Sequence, residues 1–433
     1  MNKIGFYESD ITPPLFGNMS GYFWMRSAED IEDRLYAKAV VIQSDTTKVA
    51  MLTIDIGAVS NDICEKILKR ISEHSDITPE CISINCTHTH TGGLYRGPDA
   101  PEGFYDVHYL REMTMKSADA VIAANRRLVE GNIGYGEGAV YDIAYKRVFK
   151  MKDGSFRTNA GVRNPDILEP YGEVDPKVKV LRFNDSDQKP IGAIIIFACH
   201  CDCVMLPVYS GDFPSTISDS LKQEYGADFI SIFMPGTCGD INHVDVVDGK
   251  HNVPFYYRTI GRILATEVKQ IMKQIVYPID STIDCVKQYF PVSTRRPTAE
   301  MLRNAQQSIS SEDELIAYRA YDLLSYNETT PATVDICVQL IRIGDQLLYF
   351  LPGEMFIEFG KMLETNSPFH KSLIVHLSNG DSSYIPTREL IETSIYESEL
   401  SSSSFLEKEA GYIIVDRALG IAKRLFEELN VHK

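Results

Sequence analysis

The chain has 433 residues, of which 44% are hydrophobic and 24% are charged. This composition is typical of a globular protein and excludes a mainly disordered, collagenous or coiled-coil chain. Lys and Arg number 43 against 60 Asp and Glu, so the formal net charge is −17. That balance lacks the basic footprint of a nucleic-acid-binding protein, and it disfavours docking on anionic lipid.

The first residues lack the apolar segment of a secretory signal, and every apolar run is too short to cross a bilayer. We therefore expect a cytoplasmic protein without stable membrane insertion, with its nine cysteines held as reduced thiols. The expected partner is a small-molecule substrate, with no nucleic acid. Whether the chain forms a homo-oligomer is left open by the sequence.

Short, almost continuously apolar runs alternate along the chain with stretches of helical periodicity. Such runs are typical of strands buried on both faces. They lie at Ala39–Gln43, Val49–Ile56, Ile82–Cys86, Ala193–Cys199, Phe229–Met234, Ile336–Ile343, Leu347–Leu351 and Leu373–Leu377. Helices are predicted over Tyr105–Val129, Phe213–Tyr225, Phe255–Ile275, Ala299–Leu324 and Gly411–Leu429.

This alternation predicts an α/β fold in which mixed β-sheets are layered with helices, formed by residues 1–433 as a single domain. A capping-box pair, Ser311 and Glu314, indicates that the fourth helical stretch divides in two. The polar segments Lys150–Asn164 and Ser394–Ser404 are predicted to be long surface loops.

Two histidines directly follow the predicted strand Ile82–Cys86. His88 and His90 are two residues apart, so in an extended chain their side chains point to the same face. Imidazole is a common zinc ligand. Two hydrogen-bonded histidines in a polar turn would produce the same pattern, so a metal or catalytic site and a structural turn both stay open.

Other polar residues also follow predicted strands. His200 ends one such strand, and the neighbouring cysteines lack the second Cys pair that a zinc finger needs. Glu354 follows another strand, where it is either a ligand carboxylate or an acid favoured by a helix dipole. Tyr384 lies in a loop, where a tyrosine is usually a packing residue.

Taken in order, the motifs resemble the catalytic domain of the neutral/alkaline non-lysosomal ceramidases. The resemblance runs nearly from end to end and implies a short form without the C-terminal immunoglobulin-like domain. The matching motifs are Asp10-Ile11-Thr12-Pro13-Pro14, Thr87-His88-Thr89-His90-Thr91-Gly92, Gly239-Asp240-Ile241-Asn242, Leu351-Pro352-Gly353-Glu354, Tyr384-Ile385-Pro386-Thr387-Arg388-Glu389 and Tyr396-Glu397.

The resemblance implies a ceramidase-like fold and one Zn²⁺ ion as cofactor. Carried over by motif, the zinc ligands are His88, His200, Glu354 and Tyr384. The residues implied to be catalytic, by orienting substrate or by transferring protons, are His90, Arg147 and Tyr396. The implied activity is hydrolysis of an amide (N-acyl) bond by zinc-activated water, in lipid metabolism.

One departure from the family's pattern bears on mechanism. Ceramidases carry a serine, proposed as a nucleophile, at the position occupied here by Gly236, so a covalent intermediate through this position is impossible. Direct attack by water is therefore expected, and a small soluble N-acylated or esterified compound competes with ceramide as substrate. The alternatives are a zinc-dependent ester, lactone or sugar-derivative hydrolase and a non-catalytic zinc-binding protein.

Overall fold

A computed structural model describes residues 2–431 apart from residues 23, 46, 97–102, 104, 250–254, 277–281 and 381–382. Its main element is an eight-stranded sheet, called the large sheet. Across this sheet the strands follow the order Ile230–Pro235, Pro190–Phe197, Lys177–Asp185, Val129–Ala139, Asn2–Asp10, Tyr36–Gln43, Lys48–Ile54 and Ile82–Cys86. Neighbouring strands are antiparallel except for the outermost pair at each edge, which is parallel.

The large sheet curls until its two edges approach each other. Ile230–Pro235, at one edge, also packs against Lys48–Ile54 and Ile82–Cys86 at the other. A twist of about 20–25° per strand pair accumulates to roughly 150° across such a sheet. The loops that follow Ile82–Cys86 and Pro190–Phe197 can therefore meet, although these two strands run in opposite directions when the sheet is drawn flat.

A second sheet has four strands: Ile283–Ser293, Thr333–Ile343, Gln346–Phe350 and Lys371–Val375. Its last pair is parallel and the other pairs are antiparallel. The second sheet packs face to face on the large sheet through a shared apolar cluster that includes Ile42, Leu181, Ile341 and Phe350.

Helices cover the outer faces of both sheets. Asn61–His74 and Val107–Arg126 pack on one half of the large sheet, and Phe213–Tyr225 and Tyr256–Gln274 pack on the other half. Ile357–Asn366 and Ala410–Val431 cover the second sheet. The layers are therefore helix, sheet, sheet, helix, which confirms the predicted α/β fold and explains why so many strands are apolar on both faces.

The remaining elements are short. Ala299–Ser308 and Glu314–Thr329 form a helical hairpin, and single turns of 3₁₀ helix lie at Pro79–Cys81 and Tyr396–Ser398. The small strand pairs and one three-stranded sheet comprise Asn18–Met19 with Arg26–Ser27, Asp30–Ile31 with Val208–Tyr209, Tyr145–Lys146 with Ile241–Asn242, Glu354–Met355 with Tyr384–Ile385, and Val148–Met151 between Phe156–Thr158 and Ile167–Pro170.

The eight predicted strands and the predicted helices are confirmed, with ends shifted by a few residues. The fourth helical stretch does divide in two, but the predicted capping box is wrong. Asp313 caps the second helix instead, because its carboxylate accepts hydrogen bonds from the backbone N–H groups of Leu315 and Ile316.

Sequence reasoning missed strands that lack a continuous apolar run. The clearest case is Val129–Ala139, which contains several glycines and so reads as a poor strand. The structure explains one of them. A Cβ at Gly136 would lie 2.7 Å from the Ile271 side chain, so glycine lets the helix Tyr256–Gln274 approach the sheet.

Two loop predictions were wrong. The segment Lys150–Asn164 contains a strand pairing, Val148–Met151 with Phe156–Thr158, instead of a featureless surface loop. The segment Ser394–Ser404 is only partly at the surface, since Glu397 is fully buried.

The prediction of reduced cysteines throughout is wrong for two of them. Cys81 and Cys285 form a disulfide that joins the turn before strand Ile82–Cys86 to the second sheet. The other seven cysteines, all among the described residues, are buried and lie outside any disulfide.

Among the described residues, none of the helices combines the length and apolar character needed to cross a bilayer.

Candidate metal centre

His88 lies in the loop that leaves the large sheet after Cys86. Its backbone N–H donates to the Ile56 carbonyl at 3.1 Å, and its φ is 65°, a left-handed conformation that is uncommon outside glycine. This conformation brings its Nδ1 to 2.6 Å from the Gly57 carbonyl oxygen. Because only a protonated nitrogen can donate there, the neutral ring carries its lone pair on Nε2, which faces inward.

His200 is arranged in the same way from the other half of the large sheet. It is fully buried, and its Nδ1 lies 2.7 Å from the Cys238 carbonyl oxygen. The ring centroids of His88 and His200 are 4.6 Å apart. The two imidazoles therefore present their Nε2 atoms to a common centre.

Glu354 supplies a carboxylate to that centre. Its Oε2 lies 3.2 Å from Nε2 of His88 and 3.0 Å from Nε2 of His200. The short parallel strands Glu354–Met355 and Tyr384–Ile385 place Glu354 beside Tyr384. Gly239 permits this packing, since a Cβ at that position would lie 2.3 Å from the Glu354 carbonyl oxygen.

Two tyrosines and an arginine lie beside the carboxylate. The rings of Tyr384 and Tyr396 are 5.3 Å apart, and the guanidinium carbon of Arg147 lies 5.3 Å from the Tyr384 ring centroid. Arg147 donates to the Gly239 carbonyl at 2.6 Å and forms a 2.8 Å ion pair with Glu397. Both charged side chains are almost completely removed from solvent, so this pair fixes the arginine.

His90 completes the group. Its Nε2 lies 3.3 Å from Nε2 of His88, and its Nδ1 lies 3.5 Å from Oδ1 of Asp202. The Tyr22 hydroxyl donates to the same Asp202 oxygen at 2.5 Å. Gly21 packs directly on the His90 backbone, where a Cβ would approach to 2.6 Å.

The buried groups of this site have pKa values that shift in different directions. Burial opposes protonation of His88, but the Glu354 carboxylate raises the pKa of that imidazole. Burial, and next the positive charge of Arg147, lower the pKa of His200 to about 4, and burial lowers that of His90 to about 3. Burial alone would raise the pKa of Glu354, but His88 and His200 hold it well below its usual range. The buried Tyr384 hydroxyl, close to Glu354, has its pKa raised well above its ordinary value.

These donors fit a divalent cation. The ligand nitrogens of His88, His90 and His200 lie within 4.8 Å of one another. In His88 and His200 the carbonyl partners accept from Nδ1, so both Nε2 atoms face the Glu354 carboxylate oxygen. Two nitrogens and one oxygen therefore lie within reach of a single cation. Imidazole and carboxylate ligands with carbonyl-oriented rings are typical of zinc sites.

The structure brings together all seven residues that the sequence singled out. His88, His200 and Glu354 are in direct contact, while Tyr384, Tyr396 and Arg147 form a second group beside Glu354. His90 belongs to the same histidine cluster as the two predicted histidine ligands, although the resemblance gives it a catalytic role. The division into ligands and catalytic residues stays a prediction.

Sequence reasoning missed the residues that hold this group in place. Glu397 belongs to the Tyr396-Glu397 motif but had no assigned role, and Asp202 was not singled out. The carbonyls of Gly57 and Cys238 carry no side-chain signal. Sequence proximity could have indicated the two acids, since Asp202 is two residues from His200 and Glu397 follows Tyr396 directly.

A cavity of about 350 Å³, called the site cavity, opens beside the cluster. His88, His90, Glu354, Tyr384 and Tyr396 line one side of it. Gly236 instead lines a small separate pocket with Ala198 and Thr237. Position 236 is therefore poorly placed for a nucleophile, in agreement with its missing side chain.

Comparison with known proteins finds similarity to neutral ceramidases. Residues 2–207 match the family model described as neutral/alkaline non-lysosomal ceramidase, N-terminal. A neutral ceramidase of Pseudomonas aeruginosa is 26% identical over 216 residues, which are 46% of this chain and 30% of that protein. Neutral ceramidase 1 of Arabidopsis thaliana is 25% identical over 274 residues, 56% of this chain and 33% of that protein.

Solved structures extend the likeness of the fold along the whole chain. A crystal structure of the Pseudomonas aeruginosa neutral ceramidase superposes with a TM-score of 0.76 at 19% identity, covering 98% of this chain and 75% of that one. A structure described as ceramidase complexed with C2 gives a TM-score of 0.75 at 18% identity, covering 99% and 75%.

The fold is thus shared with the neutral ceramidase structures. Residues 2–207 match the neutral/alkaline non-lysosomal ceramidase family model, in agreement with the resemblance of the motifs. The matched segments span about a third of the length of the curated relatives.

Proposed function

We propose that this protein is a zinc-dependent hydrolase that cleaves the amide bond of an N-acyl compound by attack of water. The observation that carries the proposal is the convergence of two histidine Nε2 atoms and the Glu354 carboxylate at the edge of the site cavity. The match of residues 2–207 to the ceramidase family model and the ceramidase-like fold support it.

His88, His200 and Glu354 would hold the ion, with the Tyr384 hydroxyl as the fourth ligand. When bound, zinc supplies a Lewis acid that polarises a carbonyl and lowers the pKa of water to about 7. The carbonyls of Gly57 and Cys238 keep both rings in the tautomer that binds metal.

Arg147 and Tyr396 would stabilise the negative charge that develops on the carbonyl oxygen. Such donors are typically worth about 3 kcal/mol each when they are preorganised in a site that excludes water. The ion pair with Glu397 and the bond to the Gly239 carbonyl preorganise Arg147.

His90 would transfer the proton. The water oxygen bonds to the carbonyl carbon, one water proton passes to neutral His90, and the C–N bond breaks as the leaving nitrogen takes that proton. Asp202 lies beside Nδ1 of His90 and stabilises the imidazolium that forms between the two transfers.

The test combines metal analysis with turnover. We expect about one zinc per chain in the purified protein, chelator-sensitive release of amine from an N-acyl panel that includes ceramide, and loss of both zinc and activity in His88→Ala. Protein that binds no zinc after reconstitution, or turnover that survives chelation, would contradict the proposal.

A second candidate keeps the metal and changes the bond. Hydroxyl and charged side chains also line the cavity, among them Tyr321, Asp322 and Arg96, and they suit a small polar ester, lactone or sugar derivative. A panel in which amides are cleaved while matched esters and lactones persist eliminates this candidate.

A further inference from the structure

Two groups of side chains line the site cavity. The first comprises His88 and His90 with Glu354, and the second belongs to the helix Glu314–Thr329, called the cavity helix. The volume of about 350 Å³ is at the lower end of the range for small-molecule sites, about 300–1,000 Å³. This space suits a compact substrate.

The cavity helix presents a polar face to this space. Tyr321, Ser325 and Thr329 follow one another at four-residue spacing, so they lie on one face of the helix. The Asp322 carboxylate beside them accepts hydrogen bonds from the Ser402 backbone N–H at 2.8 Å and from its hydroxyl at 2.5 Å. The Thr329 hydroxyl also donates to the Ser325 carbonyl oxygen at 2.8 Å. The cavity helix therefore offers polar groups, rather than a continuous apolar surface, to a substrate.

Arg96 lines the site cavity together with the cavity helix. It is the one lysine or arginine among the described residues that line the site cavity. Its Nη1 donates to the Tyr318 hydroxyl at 2.7 Å, and Tyr318 belongs to the cavity helix. That bond holds the guanidinium against the polar wall, where its planar fork of N–H donors matches the geometry of a carboxylate.

We propose that Arg96 binds a carboxylate of the substrate, so that the natural substrate is a small N-acylated amino acid. The scissile amide would lie at the metal ligands and the carboxylate at the cavity helix. This inference rests on the proposed amide hydrolysis and adds the class of amine that is released. The pairing of a compact cavity with one guanidinium carries it.

The experiment compares short N-acyl amino acids with their own carboxamides. Zinc-loaded protein is given a panel that includes N-acetyl-serine and N-acetyl-serinamide, and kcat/KM is measured from amine release. Because hydrogen bonds to a charged group are strong, we expect the carboxylates to be preferred by about tenfold or more. Arg96→Gln should bring the ratio near one, mainly through KM, and Arg96→Lys should restore part of it.

The control variant is Arg111→Gln, an exposed arginine on the helix Val107–Arg126, which should keep the wild-type ratio. An unchanged ratio in Arg96→Gln, a wild-type ratio near one, or faster turnover of a long-chain N-acyl sphingoid base in detergent would overturn the assignment of Arg96.

A binding measurement separates this inference from the proposed function. Calorimetry with a ketomethylene analogue of the N-acyl amino acid reports carboxylate binding without turnover. If wild type cleaves none of the amides but binds the analogue at least tenfold more tightly than Arg96→Gln, the hydrolase proposal fails and the carboxylate site stands. If cleavage occurs and the two proteins bind the analogue equally, the carboxylate site fails alone.

Discussion

The buried ion pair between Arg147 and Glu397 offers the sharpest test of how the site is held. The Glu397 side chain is fully buried, and the Arg147 side chain keeps only 7% of its exposure. Removing one partner of such a pair leaves an uncompensated buried charge, which typically costs about 3–5 kcal/mol. We expect Glu397→Met and Arg147→Met each to lose that much free energy of unfolding in urea titrations.

The double variant distinguishes charge burial from lost packing. With both charges removed, the desolvation cost disappears on both sides, so Arg147→Met/Glu397→Met should be more stable than either single variant. Catalysis should not recover, because the arginine itself is gone. Glu397→Met alone should lower kcat on the best N-acyl substrate about 100-fold by displacing the guanidinium.

Three measurements could refute this reasoning. Stability losses that simply add in the double variant would show that the two side chains do not interact. Glu397→Met with unchanged kcat would show that the acid does not position Arg147. A loss below about 1 kcal/mol in both single variants would show that the pair is not desolvated.

Further predictions concern the metal, the proton path and the pH dependence. His200→Ala should lose stoichiometric zinc by elemental analysis, whereas the exposed control His370→Ala should retain it. Asp202→Asn should lower kcat about 10- to 100-fold with little change in KM, because the His90 imidazolium loses its countercharge. A fall in the free energy of unfolding large enough to explain the lost kcat would contradict this. Burial, and next a neighbouring carboxylate, raise the pKa of Glu358 from 4.5 to about 7, so the native protein holds a proton that the unfolded chain has released. Stability should therefore fall by up to about 3 kcal/mol as pH rises from 4.5 to 7, and Glu358→Gln should flatten that slope in denaturation measured across the range.

Much of the layered fold could be predicted from the sequence because burial on both faces leaves a direct trace in a strand. Thr333–Ile343 and Gln346–Phe350 show it, since both face a second sheet on one side and helices on the other. Strands that lack this apolar pattern could not be predicted. Val129–Ala139 has glycine where a helix packs closely on the sheet, and the reason for that glycine is not apparent until the position of the helix is known.

The candidate site, like the fold, could be predicted only in part from the sequence. His88 and His90 could be paired from their spacing, but nothing in the spacing linked them to His200 or Glu354. That link came only from the order of the motifs as a whole. The supporting acids Asp202 and Glu397 could not be given roles, because their partners lie more than one hundred residues away in the chain.

By itself, then, the sequence predicted which residues are candidates for metal binding and proton transfer, and it showed that several of them follow buried strands of an α/β fold. The tertiary structure decided where they meet, because the accumulated twist of the large sheet joins loops from opposite edges. It also decided how they are oriented, through the carbonyls of Gly57 and Cys238, and which other groups line the cavity, the polar helix Glu314–Thr329 and Arg96. These are long-range contacts between main-chain and side-chain atoms, and no local pattern of residues encodes them.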